Sequence, residues 1–162
     1  MNAGEQKLND LMMRAYRSLE KIEGQMLRNV RGIKLSISEI HLIDAVGFSA
    51  KDEPGRTVGE IAETLEISMP SVTAAVNKLV KKGYLIKERG MQDGRQVHVK
   101  LTRLGRKAEF AHHYFHNNMI RYIVDGMEER EFLTLLSSME KLNLYLRESI
   151  EKGEKRAVQN EL

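Results

Sequence analysis

The stretch Thr57–Arg106, "TVGEIAETLEISMPSVTAAVNKLVKKGYLIKERGMQDGRQVHVKLTRLGR", decides the fold, because its hydrophobic period changes twice along its length. "TVGE" has capping-box spacing: Thr57 can accept from the backbone while Glu60 reaches back to it. Ile61, Ala62 and Leu65 then fit one face of a short helix. The tight connection "EIS" leads to Ser68 as a second cap, with Pro70 in the first turn, where its missing N–H costs nothing. Val72, Ala75, Val76, Leu79 and Val80 predict another short helix, stopping at Gly83. The period then falls to two: "YLIKER" and "RQVHVKL" read as short strands joined by "GMQDG", a Gly/Asp-rich hairpin turn. Helical spacing resumes at Thr102.

Outside this stretch the chain is helical. Upstream, Leu8, Leu11, Met12, Ala15, Leu19, Ile22 and Met26 mark a long amphipathic first helix, broken at "NVRGIKLS". "SISE" (Ser36 to Glu39) is a further capping-box pattern, opening a helix through Ile40, Leu42, Ile43 and Val46 to near Gly47. "SAKDEPGR" reads as a loop. Downstream, Leu104, Ala108, Ala111, Phe115, Met119 and Ile123 carry a long helix to a break at "DGM". Phe132, Leu135, Leu136, Met139, Leu142, Leu146 and Ile150 carry a last one, and the polar tail "EKGEKRAVQNEL" is expected to fray. The order predicts a mostly α fold with a small β-hairpin wing, a winged helix-turn-helix within a helical dimerisation frame. One domain is expected over residues 1–162, with dimerisation helices at about 4–34 and 103–152 around a core at about 36–102. The apolar stripes of the terminal helices exceed what so short a core can cover, which suggests a second copy.

Composition narrows the function. The 162 residues include no cysteine, so there is neither a disulfide framework nor a thiolate metal site. The amino terminus is charged and lacks the apolar core of a signal peptide, and nowhere do eighteen apolar residues run together, so a cytoplasmic protein is expected. The net charge of +3 hides an asymmetry. Residues 68–107 hold ten Lys/Arg against Glu88 and Asp93, a balance of +8 that leaves the remainder at −5. A basic block in an acidic frame suggests a polyanion-binding face, although a solvated helix surface has the same composition.

In a helix-turn-helix the second helix enters the major groove while the first braces it. Here the outward side of the second helix offers Ser68, Ser71, Thr73, Asn77 and Lys78. Hydroxyl and amide groups can read base edges, and Lys78 and Lys81 can meet phosphates. The wing carries Arg89 and Arg95. Asp93 can accept from Arg95 and so fix its guanidinium for a narrow minor groove, or the two can form an ordinary surface ion pair.

With these motifs in place, "LSISEIHLIDAVG", the run "TVGEIAETLEISMPSVTAAVNKLVKKGYLIKERG" and "DGRQVHVKLTRLGR" resemble the MarR family of bacterial regulators over roughly residues 35–107. The "DGR" of the wing followed by "LTRLGR" is the most specific part. The resemblance implies a homodimer built by the first, fifth and sixth helices on a pseudo-palindromic operator. It implies DNA contacts from Ser68, Ser71, Thr73 and Asn77, with Asp93 and Arg95 at the wing; Val72 is counted among the candidate contacts as well. Within the family, "SISEIHLIDAVG", "HHYFHNNMI" and "IVDGM" are most similar to repressors of fatty-acid synthesis. That similarity implies an acyl chain delivered on acyl carrier protein as corepressor. Met26, Ile40, Ile43, Phe115 and Met119, with Leu27, Ile33 and Phe48, could line its tunnel, or simply pack the core. An acidic carrier would also need basic side chains beside the tunnel mouth. A regulator relieved by a small aromatic ligand is an alternative.

The histidines of "FAHHYFHNN" divide. His112 and His116 lie one turn apart on one face, whereas His113 points away and is expected at the surface. They lack the glutamate of a His-Glu-x-x-His hydrolase motif, there is no Gly-x-Ser-x-Gly and no phosphate loop, so an enzyme is not expected and no cofactor is implied. Resemblance to zinc-sensing members of the family places candidate ligands at Glu23, His41, His112 and His116. A hydrogen-bonded polar cluster is the other reading of the same four residues.

Overall fold

A computed structural model describes residues 1–29, 32–47, 55–89 and 96–160. In chain order the elements are α1 (Ala3–Asn29), α2 (Ile37–Gly47), β1 (Arg56–Thr57), α3 (Val58–Leu65), α4 (Met69–Lys81), β2 (Leu85–Arg89), β3 (Val97–Leu101), α5 (Arg103–Val124) and α6 (Glu129–Asn160). The predicted mostly helical, winged architecture is therefore present, with two differences. A third strand, β1, pairs with β3 where a loop was expected up to Arg56, giving the antiparallel order β1-β3-β2. The Arg56 guanidinium explains the placement: it donates to the carbonyls of Ala45 and Glu60 and to the Thr64 hydroxyl, tying the strand to α2 and α3. The second difference is the tail. The helix runs on to Asn160 rather than fraying after Ile150, since the Glu, Lys, Arg, Ala and Gln that follow are all good helix formers.

Two compact units make up the chain, Met1–His116 and Asn117–Leu162. In the first, Ile40, Ile43, Ile61, Val72, Val76, Leu79, Leu85 and Val99 are wholly or almost wholly buried and form its core. The capping boxes read from sequence account for how α2 and α3 start. Thr57 accepts from the Glu60 N–H while the Glu60 carboxylate accepts from the Thr57 N–H. The Thr57 N–H first, and then the Thr57 hydroxyl, donate to the Glu60 carboxylate and hold it below its ordinary value. Ser36 and Glu39 are linked in the same way. Ser68 accepts from the Ser71 N–H at the start of α4. Between α3 and α4, Glu66 takes the left-handed conformation (φ 53°) that closes α3 and sets the helix-turn-helix bend.

The wing is anchored at its base. β2 and β3 pair antiparallel from Leu85↔Leu101 to Arg89↔Val97. Thr102 donates its hydroxyl to the Gly83 carbonyl and accepts the Gly105 N–H, capping α5 against the start of β2. Tyr84, buried, accepts from the Lys34 N–H and so holds the α1–α2 connection to the winged core. In the second unit, α6 leaves Leu133, Leu136, Met139, Leu144, Tyr145, Leu146 and Ile150 exposed.

Candidate nucleic-acid interface

The α4 surface carries the polar residues expected of a reading helix. Ser68, Ser71, Thr73, Asn77 and Lys78 are all exposed. Several are already engaged: the Ser68 and Ser71 hydroxyls lie 2.9 Å apart, and Thr73 donates to the Met69 carbonyl at 2.9 Å. Val72 is 0 % exposed, packed with the core on the inner side of α4. It cannot reach a base edge, so its place among the candidate contacts is corrected to a core role. On the wing, Arg89 is exposed at the end of β2, while Asp93 and Arg95 lie outside the described residues.

Lys78 has a partner that the sequence did not suggest. Its ammonium sits 3.0 Å from Glu39 Oε1, and Lys82 reaches both carboxylate oxygens at 2.7 and 2.8 Å. Glu39 is 7 % exposed. Burial alone would raise its carboxyl; the bonds from Lys82, from the Ser36 N–H and from Lys78 outweigh that and lower it to about 2. The start of α2 is thereby clamped to the last turns of α4. Glu39→Gln keeps the cap, because glutamine serves equally well at that position, but removes the charge. The substitution is expected to cost about 1–2 kcal/mol at neutral pH, since Lys78 and Lys82 can turn to water once released. Because the folded carboxyl lies below its unfolded value, this contribution is complete above pH 4.5 and fades as pH falls toward 2. Urea midpoints of the two proteins should converge across that window; a constant gap would remove the charge from the explanation.

Four of the five tunnel candidates lie in the first unit. Ile40 and Ile43 are wholly buried, Met26 packs against the same core, and Phe115 meets the His116 ring edge-on at 5.1 Å. Met119 belongs to the second unit, and Phe48 lies outside the described residues. A cleft of about 630 Å³ in the first unit is lined by Leu27, Ile33 and Leu35 together with Arg28, Lys34, Lys78, Lys82 and Glu39.

The histidine cluster is assembled by α1, α2 and α5. His112 is 3 % exposed, and its Nδ1 makes a short contact with Asp44 Oδ2. That carboxylate makes Nδ1 a donor and directs Nε2 into the cluster. There it faces Glu23 Oε1 at 3.8 Å and His116 Nε2 at 3.0 Å, while His116 Nε2 also lies 3.1 Å from Glu23 Oε1. One donor atom from each of Glu23, His41 and His112 falls within 4.8 Å of the others. His116 is held below its ordinary value, by burial first and by His112 second. Nearby, burial raises the Glu109 carboxyl. His113 is exposed, as expected. Asp44 was missed in the sequence, although it stands one turn beyond His41 on α2, and that spacing was the available signal.

Comparison with known proteins agrees with this architecture. The MarR family model matches residues 32–96. The chain is 25 % identical over 145 residues to the HTH-type transcriptional regulator PchR of Bacillus subtilis, covering 88 % of this chain and 80 % of that one. The protein belongs to the MarR family and is a DNA-binding transcriptional regulator. Among solved structures it is similar to Streptococcus pneumoniae FabT in complex with DNA, with 32 % identity, a TM-score of 0.76, and coverage of 89 % of this chain and 98 % of that one. The fold also matches the Staphylococcus aureus MepR–DNA complex (20 % identity, TM-score 0.66, 84 % and 94 % covered). Among the described residues no helix is long and apolar enough to cross a membrane.

Proposed function

We propose that the protein is a homodimeric repressor of fatty-acid-synthesis genes that binds a pseudo-palindromic operator, with an acyl chain on acyl carrier protein as corepressor. The observation that carries this reading is the similarity to the FabT–DNA complex over nearly the whole of both chains. The exposed apolar residues Leu8, Leu11, Met12 and Tyr16 on α1, and those on α6, support a second copy as their cover. The cleft's apolar wall with Arg28 and Lys34 supports an acidic carrier, Lys78 and Lys82 there being paired with Glu39. Operator contacts are assigned to Ser68, Ser71, Thr73, Asn77, Lys78, Arg89, Asp93 and Arg95, and effector contacts to Met26, Ile40, Ile43, Phe115 and Met119.

The test uses a duplex that the protein selects from a random pool. Acylated carrier protein should tighten binding to it and free carrier should not; equal effects would reject the corepressor. Arg95→Ala should weaken binding to that duplex by roughly tenfold while leaving the dimer intact. Affinity should also fall steeply between 50 and 200 mM salt, by about 10³-fold or more if six or more phosphates are contacted. A flat salt response would remove phosphate contacts from the account.

A second reading is favoured by the donor atoms that Glu23, His41 and His112 bring together, with His116 beside them. The donor set of carboxylate and imidazole groups suits zinc, and Asp44 behind His112 supplies the outer carboxylate such sites use. In that reading the protein is a zinc-responsive repressor, and zinc rather than the acyl carrier should change its affinity for the selected duplex.

A further inference from the structure

Among the described residues, a side-chain bond joins the reading helix to the wing, and its chemistry constrains what α4 can read. Lys87, on β2, places its Nζ 2.6 Å from Asn77 Oδ1. An ammonium has donors only, so the amide must turn its carbonyl toward Lys87 and its NH₂ away. A free asparagine reads adenine bidentately, accepting from N6–H with its oxygen and donating to N7 with its nitrogen. With Oδ1 held at the wing, Asn77 offers the groove two N–H hydrogens and no well-placed acceptor. Guanine presents two adjacent major-groove acceptors, O6 and N7, and is the edge that fits.

We infer that Lys87 is a positioning residue that fixes Asn77 as a pure donor and thereby makes each half-site prefer guanine over adenine at the base pair Asn77 meets. The neighbouring side chains sharpen the pattern. Thr73, one turn earlier, donates its proton to the Met69 carbonyl and so presents an oxygen able only to accept, together with its methyl group. An acceptor and a donor one helical turn apart, about 5–6 Å along the axis, span roughly two base-pair steps. The bond also couples the two reading heads, because a wing shift that moves β2 releases the amide.

The inference rests on α4 lying in the major groove, and the experiment separates the two. Wild type, Lys87→Met, Asn77→Ala and the double variant are each used to select duplexes from a random pool, and affinities are measured for the wild-type winner and its guanine-to-adenine derivative. Both positions changed are exposed, so the three variants should fold and dimerise as wild type does. Wild type should yield a two-fold-related consensus containing a guanine that Asn77→Ala no longer requires. Replacing that guanine by adenine should weaken wild type roughly tenfold, and Lys87→Met less than threefold. In the Asn77→Ala background Lys87→Met should add nothing. If wild type selects no consensus, the groove placement fails and the inference with it. If Lys87→Met keeps the guanine preference, or weakens all sequences equally with a shallower salt slope in both backgrounds, Lys87 is a phosphate contact and only the inference is overturned.

Discussion

Gly105→Ala is expected to destabilise the protein by about 2–3 kcal/mol, against the usual rule that alanine improves a helix. Gly105 lies in the first turn of α5, buried, where the helix crosses the start of β2. A Cβ there would fall on the backbone carbonyl of Tyr84, far inside contact distance, and would also crowd Leu101 at 3.3 Å. That carbonyl cannot give way cheaply: it accepts the Thr102 N–H at 3.0 Å and lies 3.1 Å from the Thr102 hydroxyl, whose single proton it shares with the nearer Gly83 carbonyl. Moving it would loosen the α5 cap and the anchor of the wing together. Up to about 1 kcal/mol of improved helix propensity offsets only part of this cost. The measurement is a urea midpoint with an unchanged slope. A variant as stable as wild type would mean that β2 and α5 approach less closely than described.

That contact illustrates what the sequence shows and what it hides. Periodicity and capping signals located every helix, because they are local: Thr57 with Glu60 and Ser36 with Glu39 each act over three residues. β1 stayed hidden because two residues have no period, and its placement depends on Arg56 reaching α2 and α3. The donor set Glu23, His41, His112 and His116 came from family resemblance, but the carboxylate that orients it did not. Asp44 is identified only by its position against His112, 68 residues away. The bonds of Glu39 to Lys78 and Lys82 were equally out of reach, since nothing in "SISE" says which cations lie opposite its last residue. Long-range pairing of polar groups is set by packing, and single-sequence patterns do not encode it.

His112→Ala tests the most constrained of these pairings and should cost about 3 kcal/mol. Truncation removes a buried ring and leaves a void, and it strips Asp44 Oδ2 of its partner beside Oδ1, which already lacks a hydrogen bond. Among the described residues, Glu23, 5 % exposed, would keep His116 and the more distant His41 as counterparts. His113→Ala on the same helix is the control: its side chain is 55 % exposed, its Nε2 lies 3.7 Å from Asp44 Oδ1, beyond hydrogen-bond distance, and its loss should change stability by less than about 0.5 kcal/mol. The same pair of variants discriminates between the two effector readings. If the cluster is only a polar clasp, zinc leaves the thermal midpoint of wild type unmoved. If it holds zinc, the metal at a hundredfold excess over its dissociation constant adds about 2.7 kcal/mol to wild type and to His113→Ala, and nothing to His112→Ala. Should His112→Ala prove as stable as wild type without metal, the cluster would contribute no net stability, and Glu23 would need a ligand to account for its burial.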